Sequence, residues 1–493
     1  MKDFVFLLPE IFLTLTVAGI ILSEVGYHGE KLRLITWIAL TGLVGAFIQT
    51  LLTYPYGASQ LFSNAIVVDG FSLFFKLFFI TLAMLSVLTS ARSREIPKDK
   101  RAEFTALILG STIAMCLIAS AADLLLAFLC LQFLNGMSYI LSAQRKLSVL
   151  STEASFKHLA FGAVSAALLL YGVALLFAGT QSLNIYEMHR ILSTTGLPNE
   201  TALVVFILVF MALSFQFAAF PMHLWAPDVL EGAPTPVSAF ISVGTRAAGF
   251  AFALRLIIVV FAQPALAQGE WQVLGHVDWT RIVALVSGIT MVVGSLLAFR
   301  QNGAKRLVAY LVVAQSGYLL MGLLVLDEVG LSALLFNLVV ELFALMGIFY
   351  ILSFLFDEVG SDQLSALKGT LRRAVPECVA LILFLACLVG IPPLPGFIGK
   401  FTLIGAAIRH EWNFLAALAI LSSAIGAVAI ARLAYSLVGD FKTQIENPTS
   451  TAIITGGGHR ALLVGLLLPM ILLAVFAETV LSWAGQSIQF ILW

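Results

Sequence analysis

The chain has 493 residues, of which 60% are hydrophobic and 11% charged, with a mean hydropathy of +1.02. A soluble domain carries about a quarter charged residues, so this balance excludes a free-standing soluble enzyme and defines a polytopic membrane protein. Lysine plus arginine equals aspartate plus glutamate at 27 each, which gives no sign of a nucleic-acid or acidic partner.

The first apolar run, MKDFVFLLPEIFLTLTVAGIILSEVG, has no small-residue cleavage site and reads as a retained first span rather than a signal peptide. With about 20 apolar residues needed per span, the sequence predicts about fourteen: residues 4–23, 34–54, 71–90, 104–121, 122–142, 158–179, 202–222, 236–262, 281–299, 306–326, 330–355, 375–408, 413–437 and 461–483. The fourth and fifth nearly touch around Ala121. No stretch is long and polar enough for a soluble domain, so 1–493 reads as one membrane domain.

Basic residues set the expected orientation. The connection after the third span holds Arg92, Arg94, Lys98, Lys100 and Arg101. Later odd-numbered connections carry Arg145 and Lys146, Arg300 and Lys305, then Lys368, Arg372 and Arg373. Even-numbered connections are almost free of both types, so the odd ones face the cytoplasm and both termini lie opposite. Lys76 sits near an end of the third span, where a snorkelling side chain is expected. Cys116, Cys130, Cys378 and Cys387 lie in apolar runs without a CxxC pair and read as small buried hydrophobes.

Two spans are interrupted. The seventh breaks within AAFPMHLWAPDVLEGAPTP, which holds Pro221, Pro234 and Pro236. The twelfth breaks at GIPPLPGF, which holds Pro392, Pro393 and Pro395. Proline inside a span frees backbone carbonyls, which is tolerated only where protein or a water-filled cavity satisfies them. The first break falls in the fourth span of a five-span set covering 104–262, and the second in the fourth span of a set covering 281–437. Residues 1–103 hold three further spans and 461–493 a last one. Corresponding breaks in two halves point to an internal repeat around an ion path.

An ionisable side chain at bilayer depth costs several kcal/mol, which makes each one a functional candidate. Lys400, just after GIPPLPGF, is deep in an apolar helix and reads either as a lysine that burial brings towards proton exchange or as one that snorkels to an interface. Glu341, in LLFNLVVELFALMGIF, reads either as a proton acceptor or as a hydrogen-bonded structural acid. Arg246, in SVGTRAAGF, sets a field but cannot relay protons. Asp228 and Glu231 belong to the polar break and read as turn or capping residues near a surface. His223 reads as a satisfied hinge histidine, with a group titrating near neutrality as the alternative. Gln132, Gln216 and Gln315 are buried amides that need partners.

At these residues a family resemblance enters. FPMHLWAPDVLEGAPTPVSAFISVGTRAAGFAFALRL resembles the seventh and eighth helices of the subunit N (subunit 2) family of proton-translocating NADH-quinone oxidoreductase, or complex I. EASFKHLAFGAVSAALLLYGVALLFAG is similar to its sixth helix, NGAKRLVAYLVVAQSGYLLMGL to its tenth and GIPPLPGFIGKFTLIGAAI to its twelfth, while VDGFSLFFK fits the region before these. The resemblance implies two inverted five-helix repeats, each contributing a half-channel, and a row of charges across the membrane centre. The implied partners are other membrane-arm subunits, the lipid bilayer and protons. FMN, iron–sulfur clusters and quinone are expected in those partner subunits, with no cofactor in this chain. A bacterial cytoplasmic membrane is the expected location, with a thylakoid-type membrane as the alternative.

The family row comprises a glutamate in the fifth helix, lysines in the seventh and eighth, usually a histidine in the tenth and a lysine in the twelfth. The matching positions here are Gln132, Gln216, Arg246 and Gln315, and only Lys400 is retained. Glu341 stands where an uncharged residue, often tyrosine, is expected. Losing one member of a buried Glu–Lys pair leaves an uncompensated charge worth about 3–5 kcal/mol. Losing both keeps neutrality and permits an amide–amide hydrogen bond, but amides do not protonate. The expected function is therefore a complex I-type membrane subunit whose N-terminal half-channel is altered or silent. A cation/proton antiporter subunit and a non-pumping structural subunit of the same complex are the alternatives.

Overall fold

The structure, a computed structural model, describes residues 5–26, 31–53, 59–145, 147–265, 269–274, 278–439 and 456–492. Lys146, counted above among the basic residues, and Phe4, where the first predicted span begins, lie outside these. Among the described residues, thirteen helices are long and apolar enough to cross a membrane. The protein is an all-α, multi-pass membrane protein. Its spanning elements are α1 (Leu8–Gly26), α2 (Lys31–Thr53), α3 (Gly70–Ser90), α4 (Arg101–Ser120), α5 (Leu124–Ser142) and α6 (Val149–Thr180). The amphipathic helix α7 (Ile185–Thr194) follows, then α8 (Asn199–Phe217), α9 (Trp225–Gly232) and α10 (Thr235–Leu256). The remainder are α11 (Thr280–Arg300), α12 (Ala304–Val325), α13 (Glu328–Val359), α14 (Val375–Val389), α15 (Pro395–Arg409), α16 (Asn413–Val438), α17 (Gly457–Val475) and α18 (Ala477–Gln489).

The predicted seventh span is thus divided into α8 and α9, and the twelfth into α14 and α15. Each first piece ends on a left-handed residue, Ala218 at φ 55° and Gly390 at φ 91°. Pro221, Pro392 and Pro393 lie in the gaps. Pro234 caps α10, while Pro236 and Pro395 sit in the first turns of α10 and α15, where a missing N–H costs nothing.

Short extended segments tie the connections together face by face. Strands Ser59–Leu61 and Ile66–Val68 form one hairpin, and Ala262–Pro264 with Trp271–Val273 form another. Bridges then join Ile66 to Ala121, Asp123 to Asn184 and Glu270 to Asp327, all in even-numbered connections. On the opposite face Gly303 bridges Gln363, and Glu95 accepts hydrogen bonds from Thr235.

At the centre, α10 and its extension to Phe261 are wholly buried. Its small residues allow this, since they let backbones approach closely. A Cβ on Gly249 would stand 2.6 Å from Gln216, and one on Gly244 would stand 2.9 Å from Leu82. Around α10 pack α3, α4, α5, α8, α9 and the long α13.

Lys76 departs from its expected snorkelling position. It is fully buried, and its ammonium lies 2.7 Å from the Glu10 carboxylate on α1. A counter-charge on a neighbouring helix removes the need to reach the interface. The four cysteines are buried and unlinked, as expected.

Candidate functional site

Each helix break surrenders backbone carbonyls, and the candidate residues take them up. At the first break, Trp225 Nε1 donates to Phe215 O at 3.1 Å, and the Ser316 hydroxyl donates to Phe217 O. At the second, Gln315 Nε2 donates to Leu388 O at 2.5 Å, while Lys400 Nζ at 3.1 Å and the Ser423 hydroxyl at 2.7 Å both donate to Val389 O. Gln315 and Ser316 are adjacent on α12, so one turn of that helix joins the two breaks.

Arg246 connects this framework to the acid. Its Nε donates to the Ser316 hydroxyl at 3.1 Å and its Nη1 to Ser242 O at 3.1 Å. Its Nη2 lies 3.0 Å from a Glu341 oxygen on α13. Glu341 is also within coulombic reach of Lys400, whose Nζ sits 4.0 Å from the centre of the Tyr318 ring. Arg246 is thus paired with a carboxylate that also feels Lys400, all three being buried, with Arg246 at 1%, Glu341 at 5% and Lys400 at 5% exposure. Arginine keeps its charge, so the trio is neutral only when Glu341 is ionised and Lys400 has given up its proton. Such an arrangement can hold and release a proton.

Packing around Lys400 is tight. A Cβ on Gly396 would fall 1.8 Å from Cys387 O, where α15 crosses the end of α14. Gly396→Ala is expected to force the two pieces apart and cost about 1–3 kcal/mol. Gly405→Ala, where a Cβ meets nothing within 4 Å, should be silent. Thermal melting of the purified variants checks this; equal melting of both would contradict it.

The N-terminal half is arranged differently. Gln216 Nε2 donates to Asn135 Oδ1 at 2.9 Å, both groups being buried. The expected partner, Gln132, is half-buried and does not reach it. Asn135 lies about one turn further along α5, so it is this residue that faces α8. The amide pair is neutral, but its members are Asn135 and Gln216.

Asp228 and Glu231 lie near the surface as expected, yet both are ion-paired. Arg306 lies 3.1 Å from Asp228 and 2.7 Å from Glu231, and Lys157 lies 2.6 Å from Asp228. His223 is buried beside the Phe220 ring, at 5.9 Å.

Three buried features escaped the sequence reading. Glu10 is the partner of Lys76. Asp69 and Arg255 form a two-pronged ion pair, at 2.9 Å on each prong. His158, inside α6, is 1% exposed and stacks on Trp225 at 4.4 Å, with Tyr139 edge-on at 4.9 Å. Of the histidine and the two carboxylates, only the histidine, inside the apolar run of α6, was a signal open to the sequence.

Residues 121–426 match the family model described as NADH:quinone oxidoreductase/Mrp antiporter, TM. The chain belongs to this family of antiporter-like membrane proteins. It is 34% identical over 425 residues to NADH-quinone oxidoreductase subunit N of Chlorobium chlorochromatii, covering 85% of this chain and 82% of that one. It is 28% identical, with a TM-score of 0.78, to a chain of respiratory complex I from Thermus thermophilus with bound aureothin, covering 96% and 98% of the two chains. A chain of the Mrp complex from Dietzia shares the fold, with a TM-score of 0.84 at 20% identity over 98% of this chain and 99% of that one.

Proposed function

We propose that this chain is a membrane-arm subunit of a complex I-type quinone oxidoreductase in a bacterial cytoplasmic membrane, and that it moves protons when quinone is reduced in partner subunits. FMN, iron–sulfur clusters and the quinone belong to those partners. The carrying observation is the buried ion pair of Arg246 and Glu341, with Lys400 buried within coulombic reach of the same carboxylate. Arg246 acts as the fixed charge that stabilises ionised Glu341. Glu341 and Lys400 are the groups that gain and lose protons. Protonation of Glu341 releases Arg246 from its partner and adds a positive charge that favours loss of the Lys400 proton, so each transfer shifts the charge balance of the other.

In the N-terminal half the Asn135–Gln216 pair carries no titratable proton. The five-helix unit containing it therefore lacks the usual switchable charge, and proton movement is assigned to the unit containing Lys400. Subunit N relatives and the fold support placing the chain in a complex I-type membrane arm. An independent antiporter is less favoured, because such a carrier needs titratable pairs in both halves.

Lys400→Ala tests the proposal. The expected result is fewer protons moved per electron in sealed vesicles, with quinone reduction still running once the gradient is collapsed. An unchanged ratio would sink the assignment to the second half.

A further inference from the structure

Beyond the central row, a second set of titratable groups is buried where several helices converge at the basic face. His459, in the first turn of α17, is 8% exposed. Its Nε2 lies 3.2 Å from Glu377 Oε1 at the start of α14, and its Nδ1 lies 2.7 Å from the Tyr350 hydroxyl on α13. Glu377 is 1% exposed, and its Oε2 has no hydrogen-bond partner among the described residues. A buried carboxylate oxygen without a donor is costly unless water reaches it.

Glu377 itself does not line the nearby cavity, which begins at the next two groups of the cluster. His459 and Tyr350 line a cavity of about 60 Å3 together with Arg92, Ser353, Asp357 and Ala239, which gives room for several water molecules. The charged and titratable groups around His459 are thus Arg92 after α3, Tyr350 and Asp357 on α13 and Glu377 on α14, with the Phe354 ring at 4.6 Å. The cavity wall also includes residues of the two helices that carry the central charges, α10 and α13. Ala239 in its wall and Arg246 lie about two helical turns apart on one face of α10. Met346, also in the wall, stands between Tyr350 and Glu341 along α13.

We propose that Glu377, His459 and Tyr350 form a proton-loading station that takes protons from the basic face and passes them through the cavity towards Glu341. This rests on the role assigned to Glu341 above and adds the route that feeds it. A proton taken up by Glu377 passes to His459 Nε2. The ring releases the proton on Nδ1 to the Tyr350 oxygen, and the phenol gives its own proton to water in the cavity. One proton enters and one leaves, and the transfer leaves the imidazole in its other tautomer, which reverts before the next proton is taken.

The test uses the assembled complex in sealed membrane vesicles with the basic face outward, and reads proton uptake per electron delivered to quinone. His459→Gly is expected to lower that ratio while electron delivery continues, and imidazole added outside is expected to restore it. Tyr350→Phe, which removes one oxygen, should show the same loss without rescue. An unaffected His459→Gly complex overturns the proposal. So does a loss that outside imidazole fails to restore, which would make His459 a structural tie between α13, α14 and α17. Should His459→Gly not assemble, Tyr350→Phe and Glu377→Gln decide, and full uptake in both overturns the proposal. Unchanged uptake in Glu341→Gln would instead sink the role of Glu341 itself, so the two failures are told apart.

Discussion

Glu341→Gln is expected to stop proton transfer through the second half of the chain and to destabilise the protein by about 3–5 kcal/mol. Both effects have one origin. Arg246 is 1% exposed and keeps its charge whatever its surroundings. Glutamine leaves that charge without its partner, and a buried ion stripped of its counter-ion costs this much. The two effects separate in the double variant Arg246→Met with Glu341→Leu. Replacing a buried pair by apolar residues of similar volume is commonly neutral or stabilising by about 1–4 kcal/mol. The double variant should therefore melt near or above the unaltered protein while its proton uptake per electron stays low. Melting of the detergent-purified complex and pumping in vesicles give the two readings. A single variant as stable as the parent, or a double variant that pumps normally, would contradict the account.

Asp69→Asn is expected to cost a similar amount at the opposite face. Asp69 is fully buried and caps α3 by accepting the Ser72 N–H at 2.7 Å. It also receives both prongs of Arg255, which itself donates to Ala119 O and to the Tyr186 hydroxyl, each at 3.1 Å. Burial pushes the Tyr186 phenol above its ordinary range, so it keeps the proton it donates to Ile491 O at 3.2 Å. One guanidinium thus gathers α3, α4, α7, α10 and the C-terminal segment. Asparagine can still cap the helix but cannot neutralise Arg255, so about 3–5 kcal/mol should be lost. Asp69→Ala removes the cap as well, adding about 1 kcal/mol. Equal losses in the two variants would show that the cap contributes nothing, and no loss in either would show that the ion pair contributes nothing.

Much of this architecture was legible because a bilayer leaves little choice. A run of apolar residues long enough to span has to be a helix, and the limits of α4, α5 and α16 follow the apolar runs to within a few residues. Lys400, Glu341 and Arg246 stood out because no charge is inconspicuous inside such a run. Pairing was harder to read, since it depends on how helices rotate against one another. Glu10 stands near the start of the first apolar run and looks like its flank; only the packing of α1 against the interior turns it towards Lys76. Asp69 looks like an ordinary cap until α10 brings Arg255 beside it. On α5, Gln132 and Asn135 are amides about one turn apart, and α5 is apolar on most of its surface. Hydropathy therefore could not say which of the two faces Gln216.

The complete enclosure of α10 bears on how the chain is made. A helix released from the translocation machinery first meets lipid, and α10 carries Arg246, whose cost at bilayer centre is about 2.5–3.5 kcal/mol even on the most lenient insertion scale. Its partner resides on α13, and the whole of α11 and α12 must be synthesised in between. The earlier helices α3, α4, α5, α8 and α9 already surround α10 on one side and can receive it. The other side stays open until α13 arrives. Nascent chains truncated before α13 should therefore hold α10 poorly in the bilayer or keep it beside an insertion chaperone, and chains extended through Glu341 should let it go.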